Sequence, residues 1–186
     1  MHNSAPALAK VQAQATGPVV QHRLYTEAQR VRRDATVWTL VQGILAPIQF
    51  LIFLTSLALV LRYLITGLGY DAATLSVVVK TCALYLIMIT GAVWEKVVFG
   101  QYLFAPAFFW EDVFSFAVIA LHTLYLYGLF SGAFAPATLM IIALAAYAAY
   151  VINAGQFLWK LRRARLDYAH ATAAVARLHS TAQVPA

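Results

Sequence analysis

Four apolar runs dominate the 186-residue chain, at about 38–61, 72–94, 113–134 and 137–159. Each is long enough to cross a bilayer as a helix, which takes ~20 residues. None alternates polar and apolar residues, which argues against a membrane barrel. Composition agrees: 62% of the residues are hydrophobic and 11% charged, where a soluble domain carries about a quarter charged. The links between the first and second runs, and between the third and fourth, are too short for anything but antiparallel neighbours. The expected fold is all-α: an integral membrane bundle of four transmembrane helices.

Charge sets the orientation. Lys10, Arg23, Arg30, Arg32 and Arg33 precede the first run, and Lys160, Arg162, Arg163 and Arg165 follow the fourth. The positive-inside rule then puts both termini in the cytoplasm, together with the connection between spans two and three. It also accounts for the net charge of +6 without a nucleic-acid partner. Residues 1–36 hold no apolar run, so no signal peptide is expected. Residues 1–24 read as a disordered tail, 25–165 as the membrane domain and 166–186 as an Ala-rich tail. Pro47 should kink the first span. Gly128 with Gly132, and Ala145 with Ala149, have the small-residue spacing of close helix packing.

Three of the seven acidic residues, Glu95, Glu111 and Asp112, stand with Lys96 at the joint between spans two and three. Ionisable groups at a membrane edge are costly unless something uses them. Between them lie Phe99, Tyr102, Phe104, Phe108, Phe109 and Trp110. Acid/base groups beside a flat apolar surface point to chemistry on a greasy, planar molecule. The plainer explanations are an interfacial aromatic belt and the anchoring of helix ends.

Polar residues also lie inside the spans. Gln49, His122 and Lys80 fall near the midplane, and Asn153, Gln42 and Gln156 lie nearer the cytoplasmic end. Gln42 and Gln49 share one helix face, and Asn153 and Gln156 share another. Glu111 and His122 are eleven residues apart, so on one helix they face the same way, ~16 Å apart. The pattern describes a pocket open to the cytoplasmic leaflet. A haem held between two histidines would need a second His in another span, which the chain lacks. No metal site is therefore expected.

There is no P-loop, Rossmann fingerprint, zinc spacing or nucleophile elbow. Residues 24–163 instead resemble the 3-vinyl bacteriochlorophyllide hydratases of bacteriochlorophyll biosynthesis. The resemblance is carried by WTLVQG at 38–43, VVVKT at 77–81, WEKVVFG at 94–100, YLFAPAFFWEDVFS at 102–115 and YVIN at 150–153. It implies a multi-pass lyase of the bacterial inner membrane that adds water to the ring A vinyl group of chlorophyllide a, giving the 3-hydroxyethyl derivative. It further implies chlorophyllide and membrane lipid as partners, with other enzymes of the pathway alongside. No cofactor is implied, because the magnesium is carried by the substrate. Two other classes remain open on the residues alone. One is a non-catalytic pigment-binding or assembly protein. The other is a small transporter with Lys80 and His122 as a midplane relay.

Vinyl hydration needs a proton for the terminal carbon and a base for the attacking water. Glu95, Glu111 and Asp112 are expected to do this work. Glu111 is the first choice for the acid because it shares a face with His122. Glu95 could approach it from the preceding helix, and two close carboxylates hold a proton between them. His122 is the further catalytic candidate. Phe99, Tyr102, Phe104, Phe108, Phe109 and Trp110 would stack on the macrocycle. Lys80 and Asn153 would reach it from the spans. Lys96 and Lys160, with Arg162 and Arg163, would pair with its free propionate.

Overall fold

The computed structural model describes residues 24–182. The tail expected over 1–24 lies, but for its last residue, outside the described residues, as do 183–186. Among the described residues five helices follow one another: α1 (Glu27–Ala35), α2 (Val37–Thr66), α3 (Tyr70–Phe99), α4 (Phe109–Ser131) and α5 (Pro136–Ala182). The described residues contain no strand. The last four helices are long and apolar enough to cross a membrane, so this is a membrane protein.

The helices outrun the apolar windows that announce them. α3 continues through Glu95 and Lys96 until Gly100 takes a left-handed conformation, φ +88°, and its N–H closes on the Lys96 carbonyl. Lys96 Nζ caps the same end, donating to the Gly100 carbonyl at 2.9 Å. A cation there is favoured by the helix dipole. α4 starts before Glu111 and Asp112, so both acids sit in its first turn, where the dipole favours them. α4 ends at Ser131, short of the expected 134, because Gly132 adopts φ +65°. Gly132 is thus a cap and takes no part in helix packing. Gly128 does pack: a Cβ there would lie 2.1 Å from the Phe134 ring. Ala145 is exposed, and Ala143 and Ala146 are the buried small residues of α5. α2 runs unbroken through Pro47.

Two helical hairpins make up the bundle. In the first, α2 and α3 are tied by Ser56 to Ser76 at 2.7 Å, Gln42 to Thr90 at 2.8 Å and Trp94 to Thr39 at 2.9 Å. In the second, α4 and α5 are tied by Asn153 to Ser115 at 2.8 Å and Lys160 to Glu111 at 2.6 Å. The hairpins meet along a seam where Phe53, Val60 and Val77 pack on Tyr125, Met140 and Tyr147. Polar contacts also cross it, from Tyr85 to Thr123 and from Ser56 to Tyr147. On α4, the buried positions Glu111, Ser115, Val118, His122 and Tyr125 recur every three or four residues, which makes one face. That face carries the chemistry-bearing side chains of α4 into the bundle. α1 begins with a Thr26–Gln29 capping box.

Candidate active site

The loop from Gly100 to Phe108 joins the hairpins, and the acids hold it in place. The Phe104 N–H donates to Asp112 Oδ2 at 2.6 Å, and the Ala105 N–H donates to Glu95 Oε2 at 3.2 Å. Phe104 has φ +59°, a left-handed conformation that is strained for a bulky side chain. Such strain persists only where surrounding contacts over-determine it, and the Asp112 bond is one of those contacts. Glu95 and Asp112 are 6% and 4% exposed. The loop residues they hold are consecutive, which brings the two carboxyl groups to the same part of the fold. Each bonds the loop through one oxygen of its carboxyl group.

Of the two α4 acids, Asp112 is the one that shares the clamped loop with Glu95. Glu111 is turned the other way, into an ion pair with Lys160 at 2.6 Å. The physical reason is the ~100° step between consecutive helix residues, which sends Asp112 to α3 and the loop and Glu111 to α5. Lys160, expected free at the rim, is engaged by this bond. Its ammonium also lies 5.2 Å from the Phe108 ring centre. Among the described residues, no three His, Cys, Asp or Glu side chains converge as a metal would require.

The six candidate aromatics do not form one surface. Phe99 and Phe108 belong to an inner cluster with Trp94, Tyr25 and Phe157. Tyr25 stacks on Phe99 at 5.7 Å, and Phe157 stacks on Phe108 at 5.7 Å. Phe108 is 2% exposed, so its faces are already occupied. Burial raises the pKa of the Tyr25 hydroxyl, against the pull of the Arg33 guanidinium. Phe104, Phe109 and Trp110 instead form an exposed patch with Phe116, in which Phe104 and Phe116 stack at 5.6 Å. Tyr102 is exposed beside Lys96, 5.2 Å from its ammonium. Tyr25, Phe116 and Phe157 are the members that sequence reading missed. The T-x-x-Q capping box directly after Tyr25 was the signal that could have fixed that residue against the bundle.

His122, Lys80 and Asn153 lie deeper. His122 is ten residues below Asp112 on α4, ~15 Å along the axis. Its Nδ1 meets the Val118 carbonyl at 2.8 Å. Lys80 Nζ sits 3.7 Å from the centre of the Tyr150 ring. At the acidic end the inner aromatics pack on one another around the buried Phe108. Two grooves of about 480 and 400 Å³ lie elsewhere on the bundle. One is lined by residues such as Leu51, Leu59 and Leu75, the other by Leu57, Leu144 and Ile152. Neither includes an acid or a base.

Fold and site together define a membrane-embedded protein with a buried, loop-clamped carboxyl pair at one end of a four-helix bundle. The family model described as 2-vinyl bacteriochlorophyllide hydratase matches residues 25–163. A protein named 2-vinyl bacteriochlorophyllide hydratase from Cereibacter sphaeroides is 73% identical over 156 residues, covering 83% of this chain and 96% of that one. A protein of the same name from Rhodobacter capsulatus is 72% identical over 147 residues, covering 78% and 85%. No solved structure matches. The chain belongs to the 2-vinyl bacteriochlorophyllide hydratase family. It is therefore an enzyme of bacteriochlorophyll biosynthesis, a hydro-lyase, and not a non-catalytic pigment carrier.

Proposed function

We propose that the enzyme adds water to the ring A vinyl group of chlorophyllide a, at the cytoplasmic leaflet of the bacterial inner membrane, with both termini cytoplasmic. We read the 2-vinyl of the relatives' name and the 3-vinyl of the resemblance as the same ring A substituent under two numberings. The observation that carries the reading is the Glu95–Asp112 pair, buried, clamped to the loop and bordered by the exposed Phe104, Phe109 and Phe116. A flat macrocycle arriving through the lipid would rest on that patch with its vinyl group over the pair.

One carboxyl of the pair gives its proton to the terminal vinyl carbon as the π bond opens. The charge left on the inner carbon spreads into the macrocycle and faces the second, ionised carboxylate, which stabilises it in a dry site. Water adds its oxygen to that carbon and returns one proton to the pair. The pair starts and ends with one proton, H and OH have been added, and no electrons are exchanged. No redox cofactor is drawn on, and the magnesium stays with the substrate. Acid/base help of this kind is worth roughly 10²–10⁴-fold. The geometry favours Asp112 over Glu111 as the partner of Glu95, because Glu111 is committed to Lys160.

Detergent-solubilised protein mixed with chlorophyllide a provides the test. Hydration takes the vinyl group out of conjugation, so the red absorption band should move to the blue and the product should gain the mass of one water. Bound pigment with an unchanged spectrum would contradict the reading. Reporter fusions at the C-terminus and in the 67–69 turn should report opposite sides of the membrane. The same side for both would remove the cytoplasmic placement.

A further inference from the structure

A second set of polar groups has no task in that reaction. Gln49, Lys80, His122 and Tyr125 are all buried, at 3% exposure or less. Among the described residues, no hydrogen-bond partner reaches Gln49 Nε2, Thr74 Oγ1, Lys80 Nζ, His122 Nε2, the Tyr125 hydroxyl, Asn153 Oδ1 or Gln156 Oε1. Buried polar atoms nearly always have a partner. Seven in one small bundle is therefore a pattern that calls for an occupant.

They come from both hairpins. Gln49, Thr74 and Lys80 belong to the first, the other four to the second. Lys80 reaches across the seam to the Tyr150 face. His122 packs on Tyr147, which bonds Ser56 across the same seam. The top of the set adjoins the Glu111–Lys160 ion pair. Asn153 is held by Ser115, one turn below Glu111, and Gln156 is one turn from Lys160.

The chemistry of the set selects its occupant. Lys80 Nζ and Gln49 Nε2 can only donate, whereas Asn153 Oδ1 and Gln156 Oε1 can only accept. The Val118 carbonyl accepts from His122 Nδ1, which leaves Nε2 as the acceptor of the neutral ring. A partner for all of them must donate and accept and must be small. The edge of a chlorin offers carbonyls, which only accept, and the ring is about as wide as a helix, ~10–12 Å. Water meets both conditions.

We infer that the seam between the hairpins holds a file of bound water, running from Gln156 and Asn153 down to His122 and Lys80, and that this file supplies the water that adds to the vinyl carbon. The supply role rests on the hydration reading above; the file itself does not. Lipid surrounds the bundle, and the seam lies inside it. Its upper end is on the α4 face that carries Glu111, the chain neighbour of Asp112.

The test uses the full-length protein in bilayers with ¹⁵N-labelled histidine. In water-edited solid-state NMR, magnetisation should pass from water to the His122 ring, assigned by its loss in His122→Phe. No transfer to His122 overturns the file. Asn153→Leu should lower kcat by about tenfold or more with KM unchanged, and Asn153→Asp should restore most of it. If Asn153→Leu keeps wild-type kcat while folded, the supply role falls. If added substrate abolishes the transfer and shifts the pigment spectrum only when magnesium is present, the seam holds pigment and the file is wrong. Full turnover in Glu95→Gln with the water transfer intact would sink the carboxylate reading alone and leave the file standing.

Discussion

The two ends of the α4 polar face are built on opposite terms. At the loop end, each buried acid has a protein partner: Asp112 the Phe104 N–H, Glu95 the Ala105 N–H and Glu111 the Lys160 ammonium. About three turns deeper, His122 and Lys80 have polar atoms with no hydrogen-bond partner among the described residues. Partnered groups are fixed in position, which is what proton transfer to one carbon of a bound substrate demands. Unpartnered groups are satisfied by what moves through. The acids are therefore read as the machinery and the seam as its supply.

The largest expected effect on stability separates the two aromatic sets. Phe108→Ala should cost ~3–5 kcal/mol, the usual range for emptying a buried ring site, since Phe108 touches Tyr25, Trp94, Phe99 and Phe157. Trp110→Ala, on the exposed patch, should leave thermal unfolding almost unchanged and raise KM. If the two behave alike in unfolding assays, the division into packing and platform is wrong.

Next is the ion pair. Lys160→Met strands Glu111 at 6% exposure and should cost up to ~3 kcal/mol, the low end for buried pairs because Lys160 keeps some exposure. Adding Glu111→Gln should recover most of that loss. A single variant as stable as wild type would show that Glu111 is not committed to Lys160, and would return it to candidacy as the acid.

The loop clamp predicts a smaller and more selective effect. Asp112→Ala removes the acceptor of the strained Phe104 N–H and should cost ~1–3 kcal/mol. Asp112→Asn keeps an acceptor and should cost little. Equal losses in both would mean that charge, and not the hydrogen bond, holds the loop.

The smallest effect lies at the rim. Arg162 and Arg163 are exposed, and surface ion pairs contribute at most ~1 kcal/mol each. Replacing both by Ala should raise KM for chlorophyllide severalfold, leave kcat alone and leave the phytyl ester, which lacks the free acid, unaffected. An unchanged KM would move the propionate elsewhere.

The sequence made the architecture legible because apolar length is a strong signal. It also showed that Glu111 and His122 share a face, since helical spacing fixes that. Partnership was not legible. The Lys160–Glu111 bond spans 49 residues and the Glu95–Ala105 bond crosses a loop, so neither leaves a periodic trace. Choosing Glu111 as the acid followed from helix face alone. Helix face does not show that a one-residue rotation gives Asp112 the loop N–H and gives Glu111 the Lys160 cation. The aromatics misled for a related reason: composition marks Phe99 and Phe104 alike, but only the fold puts Tyr25 on one and leaves the other exposed.

The central claim is that Glu95 and Asp112 move the proton. Glu95→Gln and Asp112→Asn keep the oxygen that accepts the loop N–H and lose only the ability to exchange a proton. Conversion of chlorophyllide a should be followed by the blue shift of its red band, with pigment binding measured on the same samples. Each variant should bind pigment near wild-type affinity and lose at least ~10²-fold in kcat. If both bind pigment and retain more than about a tenth of wild-type kcat, less than the loss expected of a general acid or base, the carboxyl pair is a loop clamp and the chemistry lies elsewhere.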